Sequence, residues 1–160
     1  MRKLLLVFGV ATLLVAVGVT AAISSGDGRT VLKFDTMAPV VPPYTGSANP
    51  VRGVNGGGIP WVVDSAHGRL RADGRLTIEV EGLVLATTGA NPSPTFKGIV
   101  SCRSVQDGSP TTVNVSTAAV SATATGDARI DDSVLLPSPC FAPIVFVASG
   151  GGSWFAVAGR

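Results

Sequence analysis

The sequence is poor in the residues that most chemistry needs. In 160 residues it holds one histidine, His67, one tyrosine, Tyr44, and two cysteines, Cys102 and Cys140. Two Cys and one His cannot close a Cys/His zinc site, so no metal site is expected. Lysine is scarce as well, limited to Lys3, Lys33 and Lys97. Heptads and long charged helices are missing, which excludes a coiled coil. After residue 23 no stretch has helical periodicity; the nearest candidate, residues 118–124, is short and rich in Thr, Ser and Val. With 14% charged and 46% hydrophobic residues, the chain is not a disordered tail either.

What is present begins with an address. Arg2 and Lys3 precede an uncharged apolar run from Leu4 to Val19, and Val19-Thr20-Ala21 or Thr20-Ala21-Ala22 fits the small-x-small cleavage rule. Residues 1–22 are therefore expected to be a secretory signal peptide. The alternative is an uncleaved anchor, since a bilayer span takes about 20 residues. Removing residues 1–21 takes Arg2 and Lys3 and no acidic residue. Ten of the 12 basic residues then face ten acidic ones. A neutral, Lys-poor domain has no electrostatic footprint for nucleic acid. It also lacks a polybasic patch for anionic lipid, so a membrane would be met only through the N-terminal segment, if that is kept.

Export places Cys102 and Cys140 where thiols pair, and two Cys allow one intramolecular connectivity. The rival reading, a nucleophilic Cys, would need His67 beside it as a base.

Residues 23–160 form a single expected domain. Met37 to Pro60 holds five Pro and five Gly in 24 residues, which leaves no room for a long regular element. Its Val40, Val41, Tyr44, Val51, Val54 and Ile59 are too apolar for a plain linker. An ordered loop that carries function or covers an edge fits better. Beyond it the pattern is strands and turns. Leu76, Ile78 and Val80 alternate with Thr77, Glu79 and Glu81, the period of a half-buried strand. Ala72-Asp73-Gly74 reads as a three-residue turn with Gly74 left-handed, setting Leu70 against Leu76 and His67 against Glu79. A two-residue turn would oppose Arg71 to Leu76 and mix a solvent face with a core face. Further strands are expected at 30–34, 95–101, 111–117, 128–136, 144–148 and 153–158. The last two form a closing hairpin that is apolar on both faces, so it is either covered on both sides or meets a partner. About eight short strands predict an all-β antiparallel sandwich, Ig-like or jelly-roll-like, with one disulfide; a small barrel is the alternative.

Candidate chemistry is thin. Asp64, Ser65 and His67 lie close in sequence, but alternate residues of a strand share a face, so Ser65 and His67 would project together without a buried orienting carboxylate. Asp127, Asp131 and Asp132 lack the loop spacing of calcium motifs. Gly56-Gly57-Gly58 is followed by neither Lys-Ser/Thr nor a helix, so no phosphate loop and no cofactor are expected. Asn114-Val115-Ser116 matches the glycosylation sequon. Tyr44 and Trp61 are the candidate ligand-binding aromatics, with Trp61 at the loop's rim and Trp154 in the core. No catalytic residue is assigned.

Three segments, Phe34-Asp35-Thr36-Met37, the loop through Gly56-Gly57-Gly58-Ile59-Pro60-Trp61, and Leu136-Pro137-Ser138-Pro139-Cys140, resemble small exported bacterial all-β proteins of unknown function. The likeness covers nearly all of residues 30–159 and carries no activity. High Ala, Val, Gly and Arg with low Lys is also the composition of a GC-rich bacterial genome. The expectation is a protein that is secreted or held at the cell-envelope exterior (extracellular or periplasmic), with a binding or structural role and an extracellular glycan or protein as ligand. Two alternatives stand beside it. One is an extracellular hydrolase or enzyme inhibitor using the 37–61 loop and Asp64/His67. The other is a surface assembly subunit joined through the apolar C-terminal hairpin.

Overall fold

The computed structural model describes residues 28–159. The expected signal peptide and its cleavage site lie outside the described residues. Twelve strands follow in order: β1 (Thr30–Phe34), β2 (Ala38–Pro39), β3 (Trp61–Val62), β4 (Ser65–Arg71), β5 (Arg75–Glu81), β6 (Val84–Leu85), β7 (Thr95–Gln106), β8 (Ser109–Ser116), β9 (Val120–Ser121), β10 (Ala128–Ser133), β11 (Phe141–Ser149) and β12 (Trp154–Ala158). Four of these are two-residue pieces, and the other eight are the body of the fold.

The strands make one four-stranded sheet, β1-β4-β5-β10, and one larger sheet, β2-β12-β11-β7-β8, in which β9 also pairs with β7. A small β3-β6 ladder stands apart. All strand pairs are antiparallel. The sheets face each other with open edges, so the fold is a sandwich and not a closed barrel. Leu32, Leu70, Leu76, Ile78, Val80 and Ile130 of the first sheet are buried against Phe96, Val100, Val145, Val147 and Ala156 of the second. At Gly98 of β7 the two sheets come close together. A Cβ there would lie 2.6 Å from Leu76 Cδ2 and 3.4 Å from Ile78 Cδ1.

The central hairpin has the register its hydrophobic pattern demands, with Leu70 opposite Leu76 and His67 opposite Glu79. Gly74 closes the turn at φ +88°, a region that costs glycine little. Elsewhere the boundaries differ from expectation. The strand expected at 95–101 runs on through Cys102 to Gln106, because β8 pairs with it continuously from Ile99↔Ser116 to Gln106↔Ser109. The strand expected at 128–136 ends at Ser133, where its pairing with β5 stops at Arg75.

Cys102 and Cys140 are bonded, with Cα atoms 5.0 Å apart. Cys102 is fully buried in mid-β7, and Cys140 immediately precedes β11, the neighbour of β7. The closed loop contains β8, β9 and β10, so the bridge pins the excursion that leaves one sheet, adds a strand to the other and returns. A disulfide of this kind is consistent with an oxidising compartment.

The Pro/Gly stretch is ordered and explains the two apolar faces of the C-terminal hairpin. β2 pairs with β12, and Val40 N–H continues that ladder to the Phe155 carbonyl. The chain returns at Asn55–Gly57, where the Trp154 N–H donates to the Asn55 carbonyl and the Gly57 N–H donates to the Trp154 carbonyl. Between these points it crosses the outer face of the larger sheet. Arg52 Nη1 donates to the carbonyls of Ser101 in β7 (3.0 Å) and Ala142 in β11 (2.8 Å). Asn114 Nδ2 of β8 donates to the Arg52 carbonyl (3.0 Å). Val54 is buried beneath. One face of the hairpin therefore meets the other sheet, and the second lies under this loop. The assembly surface expected on that hairpin is occupied from within the chain.

Candidate binding surface

Trp61 is not at a rim. It opens β3, pairs with Leu85 and is 3% exposed. Its ring stacks on Phe155 at 3.8 Å between centroids and meets Phe96 edge-on at 6.5 Å. The cause is the return of the loop. Gly57 passes over this stack, and a Cβ there would lie 2.9 Å from Trp61 Nε1 and 3.0 Å from Phe155. A large indole gains more from the sandwich interior than from a wet rim. A shallow apolar cavity of about 290 Å³ between Ile59, Leu85, Pro92 and Phe155 touches its edge. Tyr44 is 46% exposed on the loop. With Trp61 inside, the two rings do not form a joint stacking surface.

Asp64, Ser65 and His67 do not converge on one point. Ser65 Oγ donates to Glu81 Oε2 (3.1 Å), and His67 Nε2 contacts Glu79 Oε2 (3.0 Å). The Asp64 carboxylate lies over Gly82, where an added Cβ would be 2.3 Å from its Oδ2. The hydroxyl thus faces a carboxylate across the hairpin rather than the imidazole, and the nucleophile–base hydrogen bond of a triad is not made. Glu79 also pairs with Arg129. Such exposed pairs contribute little to stability.

The acidic residues of the second half are separated likewise. Asp131 accepts from Arg75 (3.1 Å). Asp132 accepts backbone N–H bonds from Ala118 (2.9 Å) and Ser133 (2.7 Å), which hold its pKa below the ordinary Asp value. Asp127 accepts the Gly82 N–H (2.9 Å) and the Thr125 and Thr123 hydroxyls, and its pKa is lowered chiefly by the Gly82 bond. Among the described residues no group of three or more His, Cys, Asp or Glu is gathered around one point.

A polar groove remains on the outer face of the four-stranded sheet. Lys33, Asp35, His67, Arg69, Glu79 and Arg129 line a cavity of about 230 Å³. It forms because Lys33, His67, Arg69, Glu79 and Arg129 are solvent-facing alternates of β1, β4, β5 and β10, whose other alternates fill the core, and Asp35 directly follows β1. Lys33 pairs in register with Arg69, and Arg69 with Thr77. Lys33 leans to Asp35 (3.3 Å). Among the described residues Arg69 makes no ion pair or side-chain hydrogen bond. Like charges directly opposite are unfavourable, so a polar ligand with acceptor groups would relieve this pair. The groove offers donors and acceptors of both signs and no assembled nucleophile.

Arg52 is the structural residue that the sequence reading did not single out. It is the one charged residue between Met37 and Pro60. That isolation was the available signal, because a lone cation in an apolar loop needs acceptors. Burial, then the nearby Arg103, lowers its pKa from the usual guanidinium value. No family model, no curated protein and no solved structure matches the chain.

Proposed function

We propose that this is an exported, non-catalytic β-sandwich whose role outside the cytoplasm is binding or structural, with the Lys33–Arg69–Glu79–Arg129 groove as its ligand-contacting face. One observation carries the reading: the only imidazole is spent on Glu79 while the neighbouring hydroxyl is spent on Glu81. The disulfide supports the compartment. The groove's mixed donors and acceptors suit a polar glycan or the charged surface of a protein.

Intact mass of the native protein from fractionated cells tests the export, with thiol alkylation before and after reduction. A soluble species lacking residues 1–21 or 1–22, alkylated only after reduction, is expected. A full-length membrane species with free thiols would overturn it. A panel of chromogenic esters, glycosides and peptides tests the absence of catalysis. Turnover that disappears in His67→Ala would refute the non-catalytic reading.

A further inference from the structure

The end strands of the two larger sheets, β1 and β10, β2 and β8, are not equally protected. β1 is five residues long, carries Lys33 and has an irregular register between Thr30 and Leu32. β2 is two residues long and contains Pro39. β10 carries Arg129, Asp131 and Asp132. Charge, proline, shortness and bulges are the usual defences against edge-to-edge pairing. β8 lacks nearly all of them. Ser109–Ser116 is eight residues long, uncharged, and paired with β7 without a break in register. Among the described residues no strand pairs with its other side.

The backbone groups on that open side follow from the turn. Asp107 (φ 50°) and Gly108 (φ 77°) make a two-residue turn with both residues left-handed, closed by the pair Gln106↔Ser109. Hydrogen-bonded pairs then alternate along the ladder, so Ser109, Thr111, Val113 and Val115 bond to β7. Pro110, Thr112, Asn114 and Ser116 point their backbone groups outward. Pro110 has no N–H to offer. Three consecutive outward positions remain that each supply one donor and one acceptor.

We propose that β8 is a self-pairing edge, where a second copy of this chain adds its own β8 in antiparallel two-fold register centred on Asn114. Thr112 then stands opposite the second copy's Ser116, and Asn114 opposite its equivalent. About six ladder hydrogen bonds form across the axis. Val113 lies opposite the second copy's Val115 on the core-side face, and both valines are only half-buried in the single chain. β-Branched cross-strand pairs of this kind are favourable, and no like charges meet on the strand. A two-fold interface needs one self-complementary patch, and this uncharged palindromic arrangement supplies it. The pairing joins two larger sheets into one continuous sheet through a small, weak interface.

The oxidised chain is tested by sedimentation from about 1 μM to about 1 mM, a range that brackets weak association. Amide hydrogen exchange is followed over the same range. The weight-average mass should climb towards twice the monomer. The Thr112, Asn114 and Ser116 amides should gain protection with concentration while the β7–β8 ladder amides do not change. Ser116→Pro removes an outward donor without touching that ladder, and should weaken association at least tenfold with the dilute melting temperature unchanged. Ser116→Lys, which needs no backbone adjustment, should do the same. A single monomer mass throughout, with those three amides exchanging freely, overturns the proposal. Association that survives both substitutions also overturns it. So does protection of the three amides by another extended polypeptide while the chain stays monomeric.

Discussion

Reducing the Cys102–Cys140 bond should lower stability by an amount that the topology sets. The cysteines are 38 residues apart in sequence. Chain-entropy arithmetic for a closed loop of that size gives about 4 kcal/mol at 25 °C. Unfolding entropy of about 2.1 cal/mol/K per residue, over about 130 ordered residues, is roughly 0.28 kcal/mol/K. The melting temperature should therefore fall by about 14 °C in reductant. The loop carries β8, β9 and β10, so the bond removes conformational freedom of that whole segment from the unfolded chain. A net stability of about 5–15 kcal/mol leaves the reduced protein folded but marginal at the low end of that range. Calorimetry or near-UV dichroism of the native protein with and without a phosphine reductant is the assay. The Cys102→Ala/Cys140→Ala variant should lose somewhat more, because Cys102 is fully buried and its replacement leaves a small void. A shift under about 4 °C, corresponding to about 1 kcal/mol, would refute the loop-closure account and leave strand packing as the source of order.

Other substitutions have equally definite outcomes. Trp61→Ala removes a ring stacked on Phe155 and edge-on to Phe96, and should cost about 3–5 kcal/mol in denaturant unfolding; a change under about 1 kcal/mol would place the ring outside the core. Arg52→Ala leaves the Ser101 and Ala142 carbonyls without their donor. Charged hydrogen bonds contribute about 1.5–3 kcal/mol each when buried and less here, so a loss of about 2 kcal/mol is expected. Limited proteolysis should then cut between residues 41 and 57, and an uncut loop would show that Arg52 does not anchor it. Asp127 and Asp132 have folded pKa values below the ordinary one. Their contribution is therefore present above about pH 4 and is lost as pH falls through the lowered values. Asp127→Asn should flatten the acid limb of melting temperature against pH, and an unchanged limb would rule out the Gly82 bond as its source.

Much of the β scaffold was legible along the chain, because its signals are local. Leu76, Ile78 and Val80 alternate with polar residues, and a register slip of one would turn all three to solvent. Gly74 supplies the one backbone conformation that keeps Leu70 against Leu76. Two cysteines leave a single intramolecular pairing. The placements that the sequence did not reveal depend on contacts between distant segments. Trp61 reads as a rim residue until the loop returns beside β12 and presses the ring onto Phe155. The closing hairpin, apolar on both faces, reads as a place for a partner until Arg52 and Val54 are seen lying across it. β7 outlasts its apolar stretch because eight residues of β8 pair with it, and strand length is decided by the neighbour rather than by the strand's own composition. Period and turn chemistry act over a few residues and survive in any context. Burial depends on which surfaces the whole chain brings together, and only the folded sandwich decides that.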